Sequence, residues 1–321
     1  MSVLYLDAAT VSGLAIDRGL ARRAVIESFA AFHRGEAKSR PKSSIEIAPG
    51  HLFQTMIASS QAQGLVATKF LGMAPAPGTS GVHIDAMIAL NDHRSGRLLA
   101  IMDGSVITGI RTAAMSAAAG QFLARPDSRT IGFVGSGLQA REHLLAMKAL
   151  LPDLARVLIL RSGSPSSRCL ADFARGEGLA AELSDDAETM VSQSDVVVTS
   201  VPAAAGLKPF LDPAWIAPGA FAAAVDIGRS WLPDGLRGLE LMATDDHAQQ
   251  AAQTQLSADL GPLGSFDVDL AELSAGAKPG RKDARQRAMF LFRGFALGDL
   301  ALAAETYRLA REAGLGTTLP R

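Results

Sequence analysis

The residues with the most legible chemistry sit in one short run, Gly135-Ser136-Gly137-Leu138-Gln139-Ala140, directly after the apolar stretch Thr130–Val134 and directly before a helix-forming stretch. Strand, G-x-G-x-x-A and helix in that order read as a dinucleotide-binding loop. Gly135 permits the tight turn, Gly137 lets the backbone approach a pyrophosphate, and Ala140 keeps helix and strand close. Leu138 and Gln139 open the helix whose unpaired amides and positive end meet the phosphate charge. A second strand ends Leu158-Ile159-Leu160-Arg161-Ser162-Gly163-Ser164. An NAD site usually places an acid there, about 20 residues on, for the ribose 2′-hydroxyl. Arg161 stands in its place, with Ser162, Ser164 and Arg168 as further donors, a set suited to a 2′-phosphate. NADP(H) is therefore the expected cofactor, with NAD(H) as the alternative if Arg161 is a solvated loop residue. Ligands of such sheets lie beyond the carboxyl ends of the strands, so Thr199-Ser200-Val201 is expected to line the nicotinamide and phosphates. Thr112, at an expected helix start, joins them.

These residues need a parallel sheet to position them. Short apolar strands recur at 130–134, 157–160, 196–199, 220–225 and 239–243, the first three separated by helical stretches at 138–150, 167–175 and 187–192. That alternation predicts an α/β fold, a Rossmann-type doubly wound parallel sheet. Ahead of it, residues 18–34 carry helical apolar spacing, and apolar runs at 82–90 and 98–102 flank a polar, glycine-closed turn, a hairpin signal. An alanine-rich helix is expected over 107–124 and a long amphipathic helix over 288–313. At 321 residues the chain has length for about two domains. Lys and Arg total 31 against 32 for Asp and Glu, so the chain lacks the basic excess of a nucleic-acid binder. No apolar run approaches the roughly 18 residues of a membrane span. The opening Met1-Ser2-Val3-Leu4-Tyr5-Leu6-Asp7 has no basic n-region, and the single Cys169 can form no intramolecular disulfide, so a cytoplasmic protein is expected. The six histidines show no metal-ligand spacing, and no metal is expected.

The run Ile101-Met102-Asp103-Gly104-Ser105-Val106-Ile107-Thr108-Gly109-Ile110-Arg111-Thr112-Ala113-Ala114 resembles the M-D-G-x-x-I-T-x-x-R-T-A-A signature of the ornithine cyclodeaminase/mu-crystallin family. Lys69 stands in that family's G-x-K position, and 123–127, 216–220 and 290–299 are similar to its later elements. The resemblance implies a homodimer in which a second α+β domain, for substrate and dimerisation, is formed by the N- and C-terminal segments (1–115 plus 295–321) around a Rossmann domain (116–294). It also implies a small amino- or imino-acid ligand whose carboxylate is gripped by Arg111 and Lys69, with Lys42 at a family arginine position. The chemistry agrees, since arginine offers a carboxylate two parallel charge-assisted bonds and lysine adds a point charge. Two departures favour imine reduction over cyclodeamination. Gln54 replaces a glutamate of the cyclodeaminases. The stretch Ala224-Val225-Asp226-Ile227-Gly228-Arg229 lacks their catalytic aspartate at its usual place, with Asp226 two residues earlier. The expected reaction is hydride transfer to the C=N carbon of a 2-imino acid or cyclic ketimine. Lys69 is the expected proton source and Asp226 the second, as iminium stabiliser or relay. The alternatives are a cyclodeaminase-type lyase using bound NAD and a non-catalytic NADPH-dependent carrier.

Overall fold

A computed structural model describes residues 2–76, 82–202, 207–254 and 265–320. The chain divides into two compact units, Met1–Ala114 with Gly294–Arg321, and Met115–Arg293. The first opens with β1 (Ser2–Leu6), α1 (Ala8–Gly13) and α2 (Arg18–His33). It continues through β2 (Ala37–Ser39), β3 (Ser43–Ala48), β4 (His51–Ser60), β5 (Leu65–Pro75), β6 (Val82–Asp92) and β7 (Leu98–Asp103). Helix α3 (Gly104–Leu123) carries the chain onward. The second unit follows with β8 (Thr130–Val134), α4 (Leu138–Leu150), β9 (Arg156–Leu160), α5 (Ser166–Gly176), β10 (Ala180–Ser184), α6 (Ala187–Ser192), β11 (Val196–Thr199) and β12 (Phe221–Ala224). It closes with α7 (Pro233–Leu236), β13 (Leu241–Thr244), α8 (His247–Thr254), β14 (Val268–Asp269), α9 (Leu270–Ser274) and β15 (Ala288–Leu291). The chain then returns to the first unit with α10 (Ala296–Ala313) and β16 (Thr317–Pro320). No described helix is long and apolar enough to cross a membrane.

The first unit is a mixed sheet ordered β16-β1-β7-β6-β5-β4-β2, with β3 paired on β4. Ahead of the helix expected over 18–34, Ser2–Leu6 is a strand that runs parallel to β7. Side chains alternate across the sheet. Met56, Ala58, Ala67, Lys69 and Ile88 point to the buried face, and Phe53, Ile57, Phe70 and Met87 to the exposed one. Helices α2 and α10 cover the buried face, held together where Phe295 meets Phe29 at 6.1 Å and Phe32 at 5.5 Å between ring centres.

Helix α3 starts three residues before the expected position. Asp103 caps it, its Oδ1 accepting the Val106 N–H at 2.8 Å. Gly104 lets the helix begin hard against β6, because a Cβ there would lie 2.8 Å from the Ala86 carbonyl carbon. The M-D-G of the signature is thus a strand end, a cap and a close approach.

The second unit is an all-parallel sheet ordered β10-β9-β8-β11-β12-β15-β13-β14, the doubly wound order with its switch point beside β8. Its inner strands are buried along their whole length, as strands covered on both faces must be. The helix expected over 288–313 does not form in one piece. Residues 288–291 are a strand, β15, inserted between β12 and β13, and α10 begins only at Ala296. Ala288-Met289-Phe290-Leu291 is apolar on every position, which suits a two-sided burial better than one helix stripe. Gly294 at φ +84° turns the chain from strand to helix.

Candidate active site

In the first unit, two cations converge on one buried carboxylate. Lys69 projects from β5 between Met56 of β4 and Ile88 of β6, both apolar and buried. Its Nζ donates to Oδ1 of Asp299 on α10 at 2.8 Å and to Oγ1 of Thr108 on α3 at 3.2 Å. Arg111, one helical turn after Thr108, brings Nε to 3.2 Å from the same Asp299 oxygen. Exposure is 1% for Lys69, 7% for Arg111 and 1% for Asp299, so all three charges are withdrawn from water. Burial pulls the Lys69 ammonium down to about 8; Asp299 opposes that shift and Arg111 adds to it. Arg111 is also seated from behind. Gly294 packs so closely that a Cβ would lie 2.8 Å from Nη1. Sequence reasoning named Lys69 and Arg111 but assigned no role to Asp299, Thr108 or Gly294. The available signal was a single acid, Asp299, inside the apolar run Phe295-Ala296-Leu297-Gly298-Asp299-Leu300. Lys42 lies elsewhere on this sheet, half-buried just ahead of β3, which is separated from β5 by β4. Gln54 is used locally, its Nε2 donating to Ser44 Oγ at 2.9 Å.

In the second unit, the glycine loop leaves β8 as the motif requires. Gly135 sits at φ +92°, and a Cβ there would meet the Ser200 carbonyl oxygen at 2.7 Å, so only glycine fits. Gly137 is the N-cap of α4, makes no side-chain cap, and has open space where a Cβ would stand. Leu138 is exposed, and Ala140 is fully buried against the sheet. Two buried polar atoms beside the loop, Ser200 Oγ and Gln139 Oε1, have no hydrogen-bond partner among the described residues. An uncapped helix start, an open approach at Gly137 and two unsatisfied polar atoms fit a dinucleotide diphosphate.

At the tip of β9, Arg161 donates through Nε to Asp185 at 2.6 Å, and both groups are exposed. Ser136 Oγ and Ser164 Oγ each lie 2.6 Å from Ser166 Oγ at the start of α5, with Ser162 Oγ 3.3 Å from Ser164. Arg168 lies exposed in the first turn of α5.

Several expected ligand residues carry structural work. Thr112 lies in the interior of α3, not at its start, and its hydroxyl donates to the Thr108 carbonyl at 2.7 Å. The Thr199 hydroxyl donates to Asp226 Oδ1 at 2.9 Å and accepts from Trp231 Nε1 at 3.3 Å, which places Trp231 in the core. Val201 packs partly against that core. Asp226 is itself enclosed: Oδ1 also accepts the Gly228 N–H at 3.2 Å, and Oδ2 accepts the Ser230 hydroxyl. Burial pushes its carboxyl above the ordinary aspartate range, against the pull of these donors and of Arg229. These bonds hold a strained loop, since Ile227 at φ +63° is a β-branched residue in the left-handed region. Both oxygens of Asp226 are thus engaged by neighbouring donors of its own unit.

The loop at 278–281 makes structural contacts too. Lys278 pairs with Glu272 at 2.9 Å, and Arg281 donates to the Leu123 carbonyl at 2.8 Å. That lysine neutralises Glu272 in the one cluster with metal-ligand geometry among the described residues, His247, Asp269 and Glu272. Asp269 and Glu272 there form the capping box of α9.

Comparison with known proteins agrees with this architecture. The model of the ornithine cyclodeaminase/mu-crystallin family matches residues 5–314. Rat ketimine reductase mu-crystallin is 29% identical over 256 residues, 78% of each chain. A Thermococcus litoralis Δ1-pyrroline-2-carboxylate reductase solved with NADH and L-proline superposes with a TM-score of 0.86 at 25% identity, over 98% of this chain and 99% of that one. An archaeal alanine dehydrogenase dimer with bound NAD superposes with a TM-score of 0.84 at 25% identity, over 100% and 99%. With nearly its whole length matched and both units reproduced in those structures, the chain belongs to the ornithine cyclodeaminase/mu-crystallin family.

Proposed function

We propose that the protein is a nicotinamide-dependent reductase of a small 2-imino carboxylate or cyclic ketimine, of the pyrroline- or piperideine-2-carboxylate type, and that its product is the amino acid. The observation that carries this reading is the buried cation pair of Lys69 and Arg111. A buried ammonium beside a guanidinium is an expensive arrangement for stability alone, and one carboxylate neutralises only one of the two charges. A ligand carboxylate supplies the second negative charge. Bound at the glycine loop, a nicotinamide cofactor supplies the hydride. Imine carbon accepts hydride best when its nitrogen is protonated, and Lys69, at about 8, is placed to give that proton near neutral pH and to recover it from water afterwards. Arg111, fixed against Gly294, orients the carboxylate. Because the donor must be protonated, turnover is expected to fall as pH rises through about 8.

For the cofactor, NADP(H) is the proposed preference. Arg161, Arg168 and the hydroxyls of Ser136, Ser162, Ser164 and Ser166 gather where the second strand of the sheet ends, the region that holds the adenosine ribose in such folds. The Thermococcus relative holds NADH, which makes the choice a direct experiment. The proposed partner is a second copy of the chain, as in the archaeal dimer. The face of the first sheet opposite α2 and α10 leaves Ile45, Phe53, Ile57, Phe70 and Met87 between 37% and 65% exposed, an apolar surface of the kind that isologous dimers bury.

The test is oxidation of NADPH and of NADH against pyrroline-2-carboxylate, piperideine-2-carboxylate, and pyruvate with ammonia or methylamine. Consumption of NADPH on any of these is the expected result. Preference for NADH keeps the reductase and removes the role given to Arg161. Silence on all of them, with NADPH still bound, overturns the reductase in favour of a carrier.

A further inference from the structure

The first unit contains an acid that the reaction as drawn does not use. Asp299 is 1% exposed, its Oδ1 is shared by Lys69 and Arg111, and its Oδ2 is buried without a hydrogen-bond partner among the described residues. A structural aspartate is normally held by donors at both oxygens; this one is held by cations at one. The same short segment supplies two parts of the arrangement. Gly294 seats the Arg111 guanidinium and, one helical turn into the following α10, Asp299 supplies the counter-charge. The groups that face Lys69 are Thr108 and Arg111 on α3, Asp299 on α10, and the apolar Met56 and Ile88 on the flanking strands. Asp299 is thus an anion shared by two cations there.

Resting on the reductase reading above, we propose that Asp299 is a positioning residue of the reaction. Its shared oxygen holds the Lys69 ammonium and the Arg111 guanidinium side by side. Without it, two like charges are left together in an apolar surround. The electrostatics then favour loss of the more labile proton, which belongs to the lysine. Arg111 would still bind a carboxylate, but the proton donor would be spent at neutral pH.

The experiment compares wild type, Asp299→Asn and Asp299→Glu. NADPH binding, measured by fluorescence, reports that the nucleotide-binding unit is folded. Two pH profiles report the lysine: kcat/KM on the best ketimine, and calorimetric binding of pyrrole-2-carboxylate, a planar carboxylate that is not reduced. In Asp299→Asn the fall at high pH is expected to begin about one to three pH units lower than in wild type, with kcat lost more than KM is raised. In Asp299→Glu the limb returns toward its wild-type position while kcat stays reduced. An Asn variant that binds NADPH normally and keeps the wild-type limb, however slow, overturns the proposal. If the Asn variant does not fold, a displaced limb in the Glu variant overturns it. Wild-type turnover with no shift in the variants sinks this inference and leaves the reductase. A wild type that never turns over, yet shows the shift in pyrrole-2-carboxylate binding, sinks the reductase and with it the role in a reaction, and leaves Asp299 as the residue that sets the charge of a carboxylate-binding site.

Discussion

Asp226 and Asp299, one in each unit, are exposed by only 3% and 1%, but they are held by different partners. Asp226 has neutral donors around both oxygens: two hydroxyls and a backbone N–H. Its work is local, tying the ends of β11 and β12 and steadying the left-handed Ile227. Asp299 faces two cations from two other elements, with one oxygen unsatisfied. An acid wrapped in neutral donors holds a backbone in place. An acid shared by cations sets the charge of the groups around it. The same side chain at similar burial thus meets neutral donors in one unit and cations in the other, and the proposed division between scaffold and chemistry rests on those neighbours.

The sharpest way to break that contrast is to remove a cation. Lys69→Met is expected to lower ketimine turnover by about 10²–10⁴-fold, the usual worth of a positioned acid or base. NADPH affinity should stay near normal, because the glycine loop belongs to the other unit. Near wild-type turnover in this variant would remove Lys69 from the chemistry and leave Asp299 with nothing to position. Next in size is stability. Asp299→Ala strands two buried cations and is expected to cost about 3–5 kcal/mol by chemical denaturation. A loss below about 1 kcal/mol would mean that the two cations are well solvated without it.

The exposed pair Arg161–Asp185 supplies the third term of the comparison. Side-chain exposure is 42% and 75%, so the pair itself adds little to stability, roughly 0–1 kcal/mol. Arg161→Ala should leave the melting temperature alone. It should weaken NADPH by about 10–100-fold through a lost charge-assisted contact, with NADH unchanged. Equal loss with both cofactors would place Arg161 on the shared part of the dinucleotide, and no loss would make it a surface residue.

How far this was legible in the sequence follows the same line. The second unit was readable because its signals are local: a glycine loop between strand and helix, and short apolar runs at regular spacing. The first strand–helix units came out within a residue or so, at Thr130–Val134, Leu138–Leu150 and Ala187–Ser192. The errors came where pattern is ambiguous. Residues 288–291 and 296–313 are both apolar, and only the turn at Gly294, which the pattern does not reveal, separates a central strand from a helix. In the first unit, Lys69 and Arg111 were found by resemblance, not by spacing. Their partner lies 230 residues from Lys69 in sequence, and no local pattern pairs residues at that distance. Asp226 is the opposite case, an acid found beside a family motif whose hydrogen-bond partners, Thr199 and Ser230, the sequence did not reveal.

Neutralising Asp226 is the smallest change and tests the contrast most finely. In Asp226→Asn the remaining carbonyl oxygen can stand where Oδ1 accepts from Thr199 and Gly228. The new amide faces Ser230, whose hydroxyl can turn to accept. Two of the three bonds are kept, the third is reversed and leaves the buried Ser230 proton without that acceptor, while burial already disfavours the charge that is removed. The variant should therefore lose about 1–3 kcal/mol of stability and keep its turnover within a few-fold, with the high-pH limb unmoved. A fall of about 10²-fold or more at unchanged stability would return Asp226 to the reaction as a proton relay. The two aspartates would then divide the chemistry between the units, instead of dividing chemistry from scaffold.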